Sequence, residues 1–207
     1  MKESKNVLFV GAHPDDVEFG CGGTLVKHVQ RGDSVFCIVL TNGEKGSHSP
    51  KNMECIGSLK FLGVKDVFFG GFSDGSLLDN YETVSFIESI IKELRIDRVY
   101  THDPNDRHQD HRNCSRAVSS AARGIKEIFL FSGPSTTFFN PHYIIELTEK
   151  QIDKKIKALS LYQSQLKKPS FNLSSIKPIA KVLGSKYNIQ YAEAYNLNHL
   201  IVGGEDV

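Results

Sequence analysis

The chain has 207 residues, 40% hydrophobic and 24% charged, the balance of a globular protein with enough length for one two-faced core. A formal net charge of +1 gives no global attraction to nucleic acid or an anionic membrane, and no apolar run is long enough to span a bilayer. Cys21, Cys37, Cys55 and Cys114 form no CxxC pair, so they read as reduced thiols of a cytoplasmic protein, and the charged MKESKN start does not read as a signal peptide.

The apolar run 7–10 suits a buried strand, and His13-Pro14-Asp15-Asp16 follows it at once. A helix is expected over 16–30, stopped by Arg31-Gly32-Asp33. Gly20, Gly22 and Gly23 are spaced wrongly for a dinucleotide loop and read as sites of close helix–sheet packing. A strand over 34–40 leads into a polar loop over 41–50, then a helix over 52–62 ending at Gly63. A strand at 66–69, a helix over 82–94 and a strand at 98–101 precede a second polar cluster, from His102 to His111. A helix over 109–123, strands at 127–131 and 143–147, and a helix over 148–162 complete the regular part. The tail from Lys167 is less regular, with one helical piece over 176–183, and is a candidate lid or subunit contact.

Alternating strands and helices call for an α/β fold, a Rossmann-like, doubly wound, mostly parallel sheet with helices on both faces. The expected organisation is one domain over 1–207, with a core over 1–147 and a capping segment over 148–207. If the strand order is 3-2-1-4-5, strands one and four are neighbours, and the two polar clusters face each other across one crevice. His and carboxylate groups converging there suit a divalent metal with an open position for water. The spacing assigns His13, Asp16 and His111 as ligands, with His13 and Asp16 three apart on a helical turn. Asp15, not used as a ligand, then reads as the general base on the activated water. His108, three residues before His111, is expected to face the crevice, held protonated by Asp110 or another carboxylate, stabilising an oxyanion and donating to a leaving amine. His28, His48, His142 and His199 read as solvated residues, and His102 as intermediate. Zinc fits the donor set, but two histidines and a carboxylate also suit iron(II) or another divalent metal. There is no GxSxG elbow and no Walker A sequence.

AHPDD at 12–16, TNGEKG at 41–46 and HQDH at 108–111 together resemble the PIG-L / LmbE-like deacetylases. The stretch from Glu54 to Gly63, Asp74-Gly75, Ser164-Gln165 and AEAY at 192–195 fit too, so the resemblance runs over most of the chain. It implies a Rossmann-like, zinc-dependent hydrolase that removes acetyl from N-acetylglucosamine units or related amino sugars. It places the metal on His13, Asp16 and His111, the base on Asp15, and a protonated electrophile on His108 with Asp110 as partner. Asp74 matches a sugar-contacting position. Asn42, in the TNGEKG stretch, is a further candidate substrate contact. Many members have arginine just before the helix Glu, where this chain has Lys51, Asn52 and Met53; Lys51 would act there as a point charge rather than a bidentate fork. Tyr195 stands where many members have Phe, a change that is either neutral or adds a hydroxyl near the pocket.

The reading is therefore a metal-dependent N-deacetylase of a small amino-sugar substrate, free or linked to a nucleotide, lipid, inositol or small acid. Two rivals remain: hydrolysis of an ester or of another amide, such as a thiol-sugar conjugate, which a deep apolar acyl slot would favour, and a sugar- or nucleotide-binding module with a closed, structural metal site.

Overall fold

The computed structural model describes residues 3–46, 52–169 and 171–202. His48 and Lys51 lie outside the described residues. The strands are β1 (Asn6–Gly11), β2 (Ser34–Thr41), β3 (Asp66–Phe72), β4 (Arg98–His102), β5 (Glu127–Phe131), β6 (Tyr143–Leu147) and β7 (Tyr191–Leu200). The helices are α1 (Asp16–Arg31), α2 (Asn52–Leu62), α3 (Tyr81–Glu93), α4 (Gln109–Ala121), α5 (Glu149–Leu159) and α6 (Ile176–Ser185). No helix among them is long and apolar enough to cross a membrane.

The sheet order is β3-β2-β1-β4-β5-β7-β6. β1 to β5 run parallel in the expected order, and β7 is antiparallel to both β5 and β6. Side chains alternate across each strand. Val7 and Phe9 of β1 join the core under α1, α2 and α5, while Leu8 and Val10 join the core under α3 and α4. Both faces are therefore covered, as the near-continuous apolar runs of β1 and β2 require. β7 was not expected. It draws the tail into the sheet, so residue 147 does not divide a core from a cap.

The glycines of α1 allow its approach to the sheet. A Cβ at Gly20 would lie 2.2 Å from the Phe131 ring, and one at Gly23 would lie 2.5 Å from Leu147. α1 is broken at Cys21, whose φ of −149° is not helical. A break leaves N–H groups without helical acceptors. The Glu193 carboxylate takes two of them, from Gly23 at 3.0 Å and Thr24 at 2.7 Å. Lys155 Nζ neutralises it at 2.6 Å, and the Tyr195 hydroxyl donates to Thr24 Oγ1 and Glu193. The Tyr195 hydroxyl thus belongs to this buried network and not to the cleft. His28 is buried rather than solvated, with Nδ1 2.6 Å from Asp33 and Nε2 3.0 Å from the Tyr100 hydroxyl. Two further motifs meet where the Ser164 N–H and hydroxyl both donate to Glu54 of α2.

Candidate active site

β1 and β4 are neighbours, with Phe9 opposite Tyr100, so the loops after them share one end of the sheet. The chain turns from β1 into α1 within four residues. The Asp16 carboxylate accepts the His13 N–H at 2.7 Å, which holds the turn closed. Asp15 absorbs the strain with φ at 96°, a left-handed conformation that costs energy in any residue with a Cβ and suits Asp and Asn best. Residues held this way concentrate at functional sites.

His13 and Asp16 come from this turn, and His111 from the first turn of α4. His13 Nδ1 lies 3.3 Å from Asp16 Oδ2 and 3.3 Å from His111 Nε2, and Asp16 Oδ1 lies 3.4 Å from His111 Nε2. Ligands about 2.0–2.1 Å from a tetrahedral zinc stand about 3.3–3.4 Å apart. The three side chains therefore fit a metal in their spacing and in their N and O donor chemistry. The described residues also offer overlapping donor sets, each within 4.8 Å: His13–His108–His111, Asp16–His102–His111 and His13–Asp74–Asp110.

The far nitrogen of each histidine meets carboxylate. His13 Nε2 lies 3.1 Å from both Asp110 and Asp74. His111 Nδ1 lies 3.2 Å from Asp106. Protons on those far nitrogens leave the lone pairs of His13 Nδ1 and His111 Nε2 aimed at one another and at Asp16, the arrangement in which carboxylates orient metal-binding imidazoles. Burial alone would lower the His13 pKa, but hydrogen bonds to Asp110, Asp16 and Asp74 outweigh it and push it up to about 12. Burial likewise opposes protonation of His111, and the charge of Asp16 with the Asp106 hydrogen bond raises it to about 9. Asp16 pays its own desolvation, yet His111 and His102 hold it well below the usual carboxylate range. The cluster thus attracts positive charge strongly.

Asp106 was missed in the sequence. Besides His111 it accepts from the Ser135 hydroxyl at 2.5 Å, the Thr136 hydroxyl at 2.9 Å and the His108 N–H at 2.8 Å. It pins the loop after β5 to the histidine. His102 also joins the site: its Nε2 lies 3.1 Å from Asp16, and its ring stacks on His111 with centroids 4.1 Å apart. Burial, then the charge on His111, lowers its pKa to about 4, so it is neutral.

The expected pairing of Asp110 with His108 is corrected. The Asp110 carboxylate turns to His13 and accepts the N–H groups of Gly75 and Leu77 at 2.6 and 3.1 Å. His108 caps α4 instead, its Nδ1 accepting the Asp110 N–H at 3.2 Å. Residues two apart do not face the same way at a helix start. Burial, followed by the charges on His13 and His111, lowers the His108 pKa, which opposes its protonation. With Nδ1 accepting, the neutral ring carries its proton on Nε2.

A cleft of about 740 Å³ opens on this cluster, lined by His13, Asp15, Asp16, His108 and His111. Asp74 lines it too, but its carboxylate already accepts the Lys45 N–H at 2.8 Å and faces His13. Lys45 and Arg107 add positive charge to the lining. Asn42 is not brought to the cleft lining; its side chain accepts from Asn52 at 2.9 Å. The tail does reach the cleft through Gln165, Lys168 and Phe171.

Comparison with known proteins places this geometry. A family model described as PIG-L: GlcNAc-PI de-N-acetylase matches residues 8–122, which hold both polar clusters. The uncharacterized deacetylase YaiS of Escherichia coli K12 is 34% identical over 169 residues, 77% of this chain and 91% of YaiS. Diacetylchitobiose deacetylase of Thermococcus kodakarensis is 27% identical over an alignment of 218 positions, covering 91% of this chain and 81% of that protein. The crystal structure of the conserved protein TT1542 from Thermus thermophilus matches with a TM-score of 0.87 at 27% identity, over 96% of this chain and 97% of that one. A model match across more than half of the residues, on the segment that carries both histidine clusters, means that this chain belongs to the PIG-L, GlcNAc-PI de-N-acetylase, family of deacetylases.

Proposed function

We propose that the protein is a metal-dependent hydrolase that removes the N-acetyl group from an N-acetylglucosamine-type amino sugar. The observation that carries this reading is the triangle of His13, Asp16 and His111 donors at 3.3–3.4 Å on the floor of a cleft that Asp15 also lines. His13, Asp16 and His111 would hold the metal, and zinc suits them best. When bound, it supplies Lewis acidity, which polarises the acyl carbonyl and makes water acidic near neutral pH.

Asp15 takes a proton from the attacking water and later returns it to the amine. His108 presents Nε2–H to the oxygen on which negative charge develops; a neutral imidazole can do this, and need not first be protonated. Asp110 and Asp74 orient His13, and Asp106 orients His111. Asp106→Asn removes the charge behind His111, and is expected to weaken zinc affinity by about 10- to 100-fold, measured by competition with a chromophoric chelator.

The reading is tested by acetate release from N-acetylglucosamine in free, nucleotide-linked and inositol-linked form, with zinc added and with a chelator present. Acetate that appears only with metal is the expected result. No acetate from any of them, from protein with one bound zinc, counts against it.

A further inference from the structure

The cleft lining is mixed: Lys45, Asp74, Arg107, Gln109, Gln165 and Lys168 are polar, and Phe19, Pro134 and Phe171 are apolar. A second cavity of about 310 Å³ is mostly apolar, lined by Ile176, Ile179, Leu183, Ala192 and Ala194 with Phe19 and Pro134, and the paired Lys155 and Glu193 reach it too. Phe19 and Pro134 line both cavities, so the two are neighbours with these side chains between them. Pro134 is next to Ser135, whose hydroxyl is 3.2 Å from His111 Nδ1, and Phe19 lies one turn beyond Asp16 on α1. The junction is therefore beside the reacting centre.

A sugar, with its hydroxyls, belongs against the polar residues of the lining. A secondary amide is planar and trans, so its acyl carbon chain and its nitrogen substituent leave the carbonyl on opposite sides. With the sugar there, the acyl group points to Phe19 and Pro134. An acetyl methyl does not fill what lies behind them. An apolar cavity of about 150 Å³ accommodates benzene, so one about twice as large has room for a chain of roughly six to eight carbons.

Resting on the deacylase reading above, we propose that the apolar cavity beneath α6 is an acyl subsite and that this chain prefers amino sugars carrying a medium-length N-acyl chain over N-acetyl ones. The reaction balances as ordinary amide hydrolysis. Water adds its oxygen to the acyl carbon, the C–N bond breaks, the acyl group leaves as a carboxylate, and the protons go to the amine and to solvent.

The experiment measures amine release from N-acetyl-, N-butyryl-, N-hexanoyl- and N-octanoylglucosamine by the zinc-loaded protein. Each buried methylene is expected to raise kcat/KM by about three- to fourfold until the cavity is full. Ile179 lines the cavity and is 57% exposed, so Ile179→Glu can place a charge at its mouth without disturbing the core. That variant should lose about tenfold or more on the hexanoyl substrate and keep its acetyl rate. Ala194→Leu, which fills the cavity from the sheet side, should act in the same direction. If acetyl is cleaved and longer chains are no faster, the acyl subsite is wrong and the deacetylase reading stands. If no N-acylglucosamine is cleaved, both fall. If octyl N-acetylglucosaminide outpaces the methyl glycoside and Ile179→Glu abolishes that gain, the cavity holds the aglycone and the acyl assignment is overturned.

Discussion

Asp15→Asn is expected to lower kcat/KM by about 10²- to 10⁴-fold while the protein still binds its metal with near wild-type affinity. Asn cannot take a proton from water, yet it keeps the size and shape of the side chain. It also suits the backbone. Asp15 sits at φ 96°, and Asn is among the few residues that tolerate this region. Asp15→Ala would mix two effects, because Ala there adds about 1–2 kcal/mol of strain to the loss of the carboxylate. The measurements are steady-state kinetics and zinc content on the same preparation. Turnover within a few-fold of wild type would remove Asp15 from the role of base.

Metal affinity is expected to climb steeply with pH. In the metal-free protein His13, pushed up to about 12, and His111, raised to about 9, both carry an extra proton at pH 7. A metal must displace both, since it binds only the neutral imidazole. Raising the pH removes that competition. The apparent association constant should rise by about 100-fold per pH unit below about pH 9, and by about tenfold per unit above it, where only His13 still holds its proton. Two ordinary histidines, with pKa values near 6.5, would release less than one proton in total at pH 7. Calorimetry in two buffers of different ionisation enthalpy counts the protons directly. A value near two supports His13 and His111 as ligands in this charge state, and a value below one contradicts it.

Much of this site was legible because its parts are local. His13, Asp15 and Asp16 follow one strand, and His108 and His111 open one helix. A parallel strand order then brings the two groups together. Partnerships made across the fold were harder to read. Asp106 becomes an anchor for His111 only because Ser135 and Thr136, on the loop after β5, close over it. Asp110 reads from the sequence as the partner of its neighbour His108, although the first turn of a helix sends those two side chains in different directions. Its true partner, His13, lies on another loop. β7 was missed for a compositional reason. Ala192, Glu193 and Ala194 are better helix formers than strand formers, and a charged residue argues against a buried strand. Glu193 is buried there because the break in α1 supplies two N–H donors that only a tertiary contact could predict.

The place of β7 also bears on how the chain assembles. β1 to β5 precede β6 and β7 in synthesis, and each new strand pairs with one already made: β2 with β1, β3 with β2, β4 back with β1 and β5 with β4. β5 and β6, however, do not pair with each other; each pairs with β7. Until residues 191–200 leave the ribosome, both strands present open backbone edges, and open edges are templates for pairing with other chains. A nascent chain stalled before β7 is therefore a hazard to its neighbours. The Glu193 carboxylate that closes the break in α1 arrives with the same strand, so the Gly23 and Thr24 N–H groups of α1 gain their acceptor only when β7 docks.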